Sequence, residues 1–307
     1  MENAVVIGTT FVDIKGFAGG VYDPQGRNLG TVKMVHGGVG RNVAENFANV
    51  GMPVSFVGML EDSAIGRDVE RYLREIGVDL DHMIQVPDNG IGIWMVIMDV
   101  QGNQVGSLSR MPDVSLLENY LSMHGEEIVS GADNIILEMD LNEHIAEQII
   151  CLAEKFHKPV YVIVGNLSVV LARKDLLRKT DCFICNEIEA GKFFEEPALT
   201  EYSPDEMASF LKKAIRKSGI SSMVVTMGEQ GAVYYDGKTE EAGICPPCPV
   251  NVVDTSGAGD AFFSGTVMGL LRKLPLSTAV RYGARLASAT ISRTETSCPV
   301  NKDFFSE

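Results

Sequence analysis

The most informative segment of the sequence is Asn251-Val252-Val253-Asp254-Thr255-Ser256-Gly257-Ala258-Gly259-Asp260. Its pattern predicts that a valine-rich strand ends, small residues turn the chain, and an apolar helix runs on to Leu271. Small residues let backbone N–H groups come close to a ligand, and a helix start adds unpaired amides and the positive end of its dipole. The segment therefore predicts a turn that binds an anion, which we call the anion turn (residues 257–260).

Asp260 lies in the first turn of this predicted helix, where it would face any phosphate that the anion turn holds. Amides that stabilise a phosphoryl group, beside a carboxylate that accepts a proton from the attacking hydroxyl, make up a phosphoryl-transfer site. The alternative is an ordinary helix start in which Asp260 only matches the helix dipole. The P-loop pattern, an H-R-D loop and a complete G-x-G-x-x-G are absent from the sequence, which excludes the common nucleotide motifs.

The composition is that of a folded globular protein: 45% of the 307 residues are hydrophobic and 22% are charged. The formal net charge is −15, and a surface this negative repels phosphate backbones, which excludes nucleic acid polymers as general partners. The longest apolar run, from Ile91 to Met98, is too short to cross a membrane. Because Met1-Glu2-Asn3 also lacks the basic region of a secretory signal, we expect a cytoplasmic protein with no membrane partner.

Six cysteines include two C-x-x-C pairs, Cys182/Cys185 and Cys245/Cys248. A zinc site or a redox role is one interpretation of such pairs. However, Cys182 and Cys185 lie in a predicted strand, where positions three apart point to opposite faces, and the other pair encloses two prolines. We therefore predict ordinary buried or half-exposed thiols.

The order of predicted elements indicates an α/β fold. Hairpins are predicted between about residues 15 and 35, a helix follows Gly37-Gly38-Val39-Gly40, and another hairpin turns at Gly102-Asn103. From about residue 128, strands near 135–137, 160–164, 183–184 and 223–227 alternate with helices, which is typical of a parallel sheet. We predict one domain over residues 1–307. Its central, mostly parallel sheet has helices on both faces, and a small β-sheet lid has strands roughly within residues 15–36 and 84–110.

Four motifs occur in order along the chain: Gly37-Gly38-Val39-Gly40-Arg41-Asn42, Asn186-Glu187-Ile188-Glu189, Thr226-Met227-Gly228-Glu229-Gln230-Gly231 and Asp254-Thr255-Ser256-Gly257-Ala258-Gly259-Asp260. Each resembles a signature of the ribokinase/PfkB family of carbohydrate kinases, and together they are highly specific. The resemblance implies a ribokinase-like fold. It also implies ATP-dependent phosphorylation of a hydroxyl group on a sugar or nucleoside.

The resemblance further implies roles for individual residues. Asp260 would be the general base, and the anion hole would consist of the amides of Gly257, Ala258 and Gly259. The acceptor would be bound by Asp13, Gly38, Asn42 and, on a looser match, Glu138. ATP would be bound by Asn186, Glu189, Thr226, Gly228 and Gly231.

Two cations are implied as well. Asn186 and Glu189 would organise Mg²⁺ and phosphates largely through water, in keeping with the reluctance of magnesium to dehydrate. Asp254 and the carbonyl of Ser256 would correspond to a monovalent-cation site for K⁺ that many members have. Plain structural interpretations remain open for several of these residues: Asp13 as a turn carboxylate, Asn42 and Asn186 as helix caps, and Thr226 as a strand end.

Two positions depart from the family pattern. Phe11 stands two residues before Asp13, where many members have asparagine, and an aromatic ring there can stack on a base. No asparagine stands near Ala284, where an adenine contact is expected, so recognition of the purine of ATP should differ.

The acceptor is best interpreted as an uncharged nucleoside or sugar, with pseudouridine as the first hypothesis. Residues 33–46, in which Arg41 follows the glycines, are most similar to bacterial pseudouridine kinases. A phosphorylated sugar would require several basic residues near the lid, and Arg41 and Arg110 are the two candidates; Arg41 as a helix-surface charge is the alternative. A ribokinase- or fructokinase-like sugar kinase is one rival function, and a non-catalytic sugar- or nucleoside-binding regulator is another.

The apolar run Ile91-Gly92-Ile93-Trp94-Met95-Val96 is predicted to form a lid strand. A long apolar strand edge is a liability unless another strand covers it. We therefore expect a homodimer in which this edge pairs with a second subunit.

Overall fold

The structure is a computed structural model that describes residues 2–306. Its strands are β1 (Ala4–Ile7), β2 (Phe11–Ala18), β3 (Gly30–Gly37), β4 (Val54–Val57), β5 (Met59–Glu61), β6 (Ile84–Val86), β7 (Gly92–Met98), β8 (Gln104–Arg110), β9 (Asn134–Glu138), β10 (Val160–Ile163), β11 (Cys182–Asn186), β12 (Ser222–Thr226), β13 (Ala232–Asp236) and β14 (Glu241–Cys245). Its α-helices are α1 (Val39–Asn49), α2 (Ala64–Ile76), α3 (Ser115–Gly131), α4 (Glu143–Phe156), α5 (Ser168–Ala172), α6 (Glu187–Phe194), α7 (Pro204–Ser218), α8 (Ala258–Leu271) and α9 (Leu276–Ile291).

The central sheet contains eight strands in the order β14-β13-β12-β11-β10-β9-β1-β4. The six strands from β12 to β4 run parallel, and β13 and β14 are added antiparallel at one edge. The four strands predicted after residue 128 are β9 to β12, so the mostly parallel sheet is confirmed. The antiparallel pair β13–β14 was not anticipated from the sequence.

Helices cover both faces of the central sheet because successive strand residues point to opposite sides. Ile7 and Leu137 belong to a core shared with α3, α4, α6 and α7, whereas Val6 and Ile136 belong to a second core shared with α1, α2, α8 and α9. All residues of β1 and β10 are buried, as their continuous apolar sequences predict. Within residues 2–306, no helix combines the length and apolarity that crossing a bilayer requires.

A second sheet has the strand order β3-β2-β7-β8 and is the small sheet that the hairpins predict; we call it the lid. Strands β2 and β3 are antiparallel, β7 and β8 are antiparallel, and β2 and β7 are parallel neighbours. The first lid strand begins at Phe11, earlier than the predicted range. Residues 84–86, which were predicted within the lid, instead form β6 and pair with β5.

The apolar strand β7 lies inside the lid, between β2 and β8. The prediction that its edge pairs with a second subunit is therefore wrong, because both rows of its backbone hydrogen-bonding groups face strands of the same chain. The edges of the lid are β3 and β8.

The valine-rich segment 251–253 is also not the predicted strand. Prolines at 246, 247 and 249 precede it and lack N–H groups for sheet bonding. The amides of Val253 and Asp254 instead donate to the carbonyl of Ile291, at 2.8 and 3.3 Å. The predicted apolar helix is confirmed as α8, which begins at Ala258 and ends at Leu271.

Two glycines bring the start of α1 against the end of β1. A Cβ atom on Gly40 would lie 2.6 Å from the Cα of Gly8, and one on Gly8 would lie 2.7 Å from the Cα of Gly40. Because both neighbours are backbone atoms, neither can move aside easily. The first turn of α1 is thereby placed at the carboxyl end of the parallel sheet, where open α/β sheets bind ligands.

We expect Gly40→Ala to destabilise the protein by about 1–3 kcal/mol, because the added methyl group overlaps the backbone at Gly8. The free energy of unfolding from urea titration measures this change. Gly106→Ala is the matched control, because a Cβ atom there has open space within 4 Å, and we expect a change within about 0.5 kcal/mol. Equal stabilities of the two variants would contradict the packing argument.

Candidate active site

Residues from opposite ends of the chain meet where α1 and α8 begin. Nδ2 of Asn42, in the first turn of α1, donates a hydrogen bond of 2.6 Å to Oδ2 of Asp260, in the first turn of α8. The two residues are 218 positions apart in sequence. The structure thus joins the predicted general base directly to one of the predicted acceptor-binding residues.

The environment of Asp260 raises its pKa to about 7. Burial is the main cause, and the nearby carboxylates of Glu138 and Asp13 raise this pKa further. The hydrogen bond from Asn42 and the charge of Arg41 act in the opposite direction. A carboxylate with a pKa near neutrality is suited to general base catalysis at physiological pH.

Arg41 is buried beneath the acceptor-binding residues, with 1% of its surface exposed. Its guanidinium donates to the carbonyls of Gly37 and His36 at 3.0 and 2.8 Å, and it contacts Oδ1 of Asn42 and an oxygen of Glu45. Because the Oδ1 side of the Asn42 amide is held by Arg41, its Nδ2 side is directed to Asp260. The interpretation of Arg41 as a helix-surface charge is therefore wrong, and so is its candidacy as a phosphate-binding residue near the lid.

Thr296 supports the same arrangement and was not identified from the sequence. Its hydroxyl donates to the carbonyl of His36 at 2.8 Å, lies 3.0 Å from Oδ1 of Asn42, and accepts from Arg41 at 2.8 Å. Thr296 follows the last helix in a loop, and no local motif in the sequence marks it.

Glu138 joins the loop after β1 to the first turn of α1. Its Oε2 accepts hydrogen bonds from the amides of Thr9 and Gly40, at 2.7 and 3.1 Å, and the hydroxyl of Thr9 donates to both carboxylate oxygens. Burial raises the pKa of Glu138. Its predicted contact with a sugar stays a prediction; in the structure this carboxylate positions the start of α1. Thr9 was missed because it carries no recognisable motif.

The anion turn has the expected open backbone, although one amide differs from the prediction. The amide of Ala258 donates to the carbonyl of Thr255 at 3.2 Å. Within residues 2–306, the amides of Gly257, Gly259 and Asp260 donate to no protein acceptor. Gly257 has φ of +78°, and a side chain there would overlap the carbonyl of Thr296, whereas the space around Gly259 is open within 4 Å. The turn therefore offers three amides to a ligand at the N-terminus of α8.

Asp13 lies on β2 of the lid, close to the start of α1. A Cβ atom on Gly37 would lie 2.5 Å from Oδ1 of Asp13, so the carboxylate packs against this glycine. Burial raises the pKa of Asp13, and its oxygens accept no hydrogen bond from the described part of the chain. Gly38 has φ of +97°, and a Cβ atom there would lie 2.6 Å from the amide nitrogen of Phe11. These features leave the Asp13 carboxylate available to hydroxyl groups of a ligand.

The carboxylate of Asp254, which was predicted to bind a monovalent cation together with the carbonyl of Ser256, binds a lysine instead, and this lysine also contacts the hydroxyl of Ser256. Nζ of Lys15, on β2 of the lid, lies 2.7 Å from Oδ2 of Asp254 and 2.8 Å from Oγ of Ser256. Oδ1 of Asp254 accepts from the amide of Ser256 at 2.8 Å. A soluble K⁺ ion on these side-chain oxygens would meet a like charge, so the residues do not fit it. Lys15 could have been found in the sequence, because it shares a strand face with Asp13.

Three of the five residues predicted at the nucleotide side, Asn186, Glu189 and Thr226, meet at the ends of β11 and β12. Asn186 and Thr226 are register partners, and Oγ1 of Thr226 donates to the carbonyl of Cys185 at 3.5 Å. Asn186 and Glu189 form a capping box at the start of α6: Oδ1 of Asn186 accepts from the amide of Glu189 at 2.8 Å, and Oε2 of Glu189 accepts in return at 2.9 Å. The interpretation of Asn186 as a helix cap is therefore confirmed, and it leaves the other Glu189 oxygen available.

Gly228 and Gly231 surround the short turn after β12. Their φ angles are +52° and +89°, which favour glycine. A Cβ atom on Gly231 would lie 2.9 Å from the nitrogen of Pro247, so the turn packs closely against the proline-rich segment.

Asp140 was not identified from the sequence, although it lies two residues beyond the end of β9. Its oxygens accept from the amides of Asn166 and Val169, both at 3.2 Å, and burial raises its pKa to about 6. Its charge in turn raises the pKa of Glu189, after burial as the main cause. Among the described residues, no group of three or more His, Cys, Asp or Glu side chains could hold a metal ion. The donor set around Glu189 fits Mg²⁺ that keeps most of its water and phosphate ligands.

The cysteines agree with the prediction of ordinary thiols. All six are free, and Cys182, Cys185, Cys245 and Cys298 are buried. Burial raises the pKa of the Cys185 thiol, which makes it a poor nucleophile and metal ligand.

A half-buried carboxylate with a raised pKa, a helix start with open amides, and a lid over the sheet edge define a kinase that phosphorylates hydroxyl groups on small molecules. Residues 1–303 match the model of the pfkB family carbohydrate kinases. The chain belongs to this family, whose members are phosphotransferases acting on hydroxyl groups of sugars or nucleosides.

Known relatives span the same length. A guanosine-inosine kinase from Exiguobacterium acetylicum is 34% identical over 96% of both chains. A pseudouridine kinase from Escherichia coli is 25% identical over 97% of this chain and 93% of its own. The ribokinase structure from Giardia lamblia superposes with a TM-score of 0.84 at 19% identity, covering 100% of this chain and 99% of that one. The ribokinase-like fold is thereby confirmed.

We expect Asp260→Asn to stabilise the protein at pH 8 relative to the parent. The native Asp260 binds its proton more tightly than the unfolded chain does, so parent stability falls as pH rises from about 4 to 7. An asparagine side chain can accept the same hydrogen bond from Asn42 without carrying a charge. We expect the free energy of unfolding of the variant to exceed that of the parent by about 1–3 kcal/mol, a range that allows for the partial exposure of Asp260. Urea titrations at pH 5 and pH 8 measure this. If the free energy of unfolding changed by the same amount in the parent and the variant between pH 5 and pH 8, the pKa argument would be wrong.

Proposed function

We propose that the protein transfers the γ-phosphoryl group of ATP to a ribose hydroxyl of a nucleoside. The observation that carries this proposal is the hydrogen bond between Asn42 and Asp260, next to the open amides of Gly257 and Gly259. This arrangement supports the proposal because a carboxylate that can accept a proton lies beside amides that can donate to phosphoryl oxygens.

The chemical step uses these groups directly. The hydroxyl oxygen of the acceptor attacks the γ-phosphorus, and its proton passes to Asp260. The bond from the γ-phosphorus to the bridging oxygen of ADP breaks, and ADP leaves. The amides of Gly257, Gly259 and Asp260, which have no protein acceptor in the described part of the chain, stabilise the negative charge on the transferring group, because their places at the helix start are already fixed and need no reorganisation.

Mg²⁺ bound to ATP supplies further charge neutralisation when present. On the protein side, Glu189 and Asp140 would hold its water ligands, and Thr226, Gly228 and Gly231 would line the nucleotide. These assignments rest on the place of the residues at the carboxyl ends of neighbouring parallel strands.

A purine nucleoside is the proposed acceptor. Support comes from the 34% identity to the guanosine-inosine kinase, compared with 25% to the pseudouridine kinase. Phe11 and Asp13 share one face of β2, so a base can stack on the half-buried ring while the carboxylate binds ribose hydroxyls. The ring of Phe11 packs over Gly92, where a side chain would overlap it.

Pseudouridine is the second candidate. The similarity of residues 33–46 to pseudouridine kinases favours it, but Arg41, the residue that suggested it, is buried under Asn42 and cannot contact a base. A ribokinase- or fructokinase-like activity would need no stacking surface at Phe11. A non-catalytic regulator would have no use for a base with a pKa near neutrality.

The acceptor can be tested by incubating the protein with Mg·ATP and each of guanosine, inosine, adenosine, uridine, pseudouridine, ribose, fructose and fructose 6-phosphate. We expect ADP release and nucleoside monophosphate with guanosine or inosine, at a kcat/KM at least about tenfold above that for the others. Activity confined to the sugars would contradict the nucleoside proposal, and nucleoside binding without ADP release would support the regulator.

Asp260→Asn in the same assay should lower kcat by about 10²–10⁴-fold, because the hydroxyl proton then has no acceptor. Asp205→Asn is the matched control, since Asp205 is an exposed carboxylate in the first turn of α7. Its kcat should equal that of the parent.

We also propose a homodimer formed by the outer face of the lid. Met34, Met95 and Leu108 are in register with Ile14, on the face opposite Lys15, and they are 57%, 39% and 67% exposed. Light scattering at micromolar concentration should give twice the mass of one chain for the parent. For the double variant Met34→Glu/Leu108→Glu it should give the mass of a single chain. Val21→Glu, in an exposed loop, is the control. A monomeric parent would refute the dimer.

A further inference from the structure

We propose that Lys15 is a positioning residue that fastens the anion turn to the lid, and that its ammonium takes the place of a soluble monovalent cation. The proposal rests on the proposed kinase function, and it concerns how the anion turn is held in its active geometry. Lys15 has been assigned no role by the sequence motifs.

The contact joins two parts of the chain that are far apart in sequence. Lys15 and Asp254 are separated by 239 positions, and their ion pair links the lid to the loop before α8. About 7% of the Lys15 side chain and 25% of the Asp254 side chain are exposed. Removing one member of an ion pair that is this well shielded from water is costly, because the other charge is left there without a partner.

The same contact shapes the loop that leads into the anion turn. Both oxygens of Asp254 are engaged, Oδ1 by the amide of Ser256 and Oδ2 by Lys15, and Lys15 also binds Oγ of Ser256. Ser256 directly precedes Gly257, the first residue of the anion turn. Lys15 therefore holds Ser256 in place, and the position of Ser256 orients the open amides of Gly257 and Gly259 that follow it.

Lys15 also links this loop to the acceptor. It shares a face of β2 with Asp13, and the charges of Lys15 and Asp254 both influence the pKa of Asp13, after burial as the main cause. A lid that moves away from the sheet edge withdraws Asp13 and Lys15 together. The anion turn is consequently held in place when the lid covers the acceptor, which favours transfer to that acceptor over hydrolysis of ATP.

A soluble cation is not needed for this arrangement. The ammonium provides one positive charge at hydrogen-bond distance from Asp254 and Ser256, which is what a bound monovalent cation would provide. A second cation on the same oxygens would be repelled by a poorly solvated like charge. Phosphorylation should therefore proceed equally well with or without K⁺.

The test compares the parent, Lys15→Ala and Lys33→Ala with guanosine or whichever acceptor is active. Lys33 is the matched control, because it is an exposed lysine on the neighbouring lid strand, in register with Lys15. Each is assayed at constant ionic strength with choline chloride or KCl. We expect parent kcat to be the same within twofold in both salts, and Lys33→Ala to behave like the parent.

For Lys15→Ala we expect kcat to fall by about 10²-fold in choline chloride, with the KM for the acceptor changed less than threefold, because the displaced amides act on the transition state. K⁺ or methylammonium should raise the kcat of Lys15→Ala at least fivefold above its value in choline chloride, because either cation can enter the space that the lysine side chain leaves. Asp254→Asn should lose activity without rescue, and the double variant should be no worse than Asp254→Asn alone.

Three results would overturn the proposal. They are activation of the parent by K⁺ of more than fivefold, a Lys15→Ala kcat within twofold of the parent, and a loss of kcat that no cation rescues and that parallels a loss of thermal stability. An inactive parent with every acceptor would instead refute the proposed function, so the two failures are distinguishable.

Discussion

Asp260 is kept partly out of water by the packing of α8 beside α1, and its pKa rises to about 7 as a result. A carboxylate in this position is costly unless a donor satisfies it, and Asn42 provides that donor. The amide of Asn42 is held in turn by Arg41 and Thr296, both buried. The chemistry of the site therefore depends on a polar network that extends well below its surface, in which each member fixes the orientation of the next.

Glycine contacts make this network geometrically possible. Gly8 and Gly40 let the start of α1 lie directly on the end of β1, and Gly257 lets the anion turn pass against the carbonyl of Thr296. A side chain at any of these positions would overlap backbone atoms of the neighbouring element. Backbone packing thus determines how the start of α1, which carries Asn42, and the loop of Thr296 lie against the start of α8.

The lid contributes more than coverage. Its strand β2 carries Phe11, Asp13 and Lys15 on one face. In the function we propose, the first two face the base and the ribose of the acceptor, and Lys15 contacts the loop before the anion turn. Because alternation along one strand sets their spacing, the movement of the lid acts on all three together. Acceptor binding and the geometry of the phosphate site are coupled by this single strand.

The fold, and the places along the chain of the two glycine turns, could be predicted from the sequence alone; the roles of the residues in the site stay predictions. Apolar periodicity identified the parallel strands, and the small residues around Gly257 and Gly38 identified the two turns, because such signals are local and reflect backbone geometry. The tertiary structure decided the partners of charged side chains. Arg41 looked like a surface residue or a phosphate ligand and is buried, Asp254 pairs with Lys15 rather than with an ion, and β7 lies inside its sheet. Lys15 lies 239 positions from Asp254 and Thr296 lies 255 positions from Arg41, while β7 pairs on one side with β2, from a distant part of the sequence. No local pattern encodes such contacts.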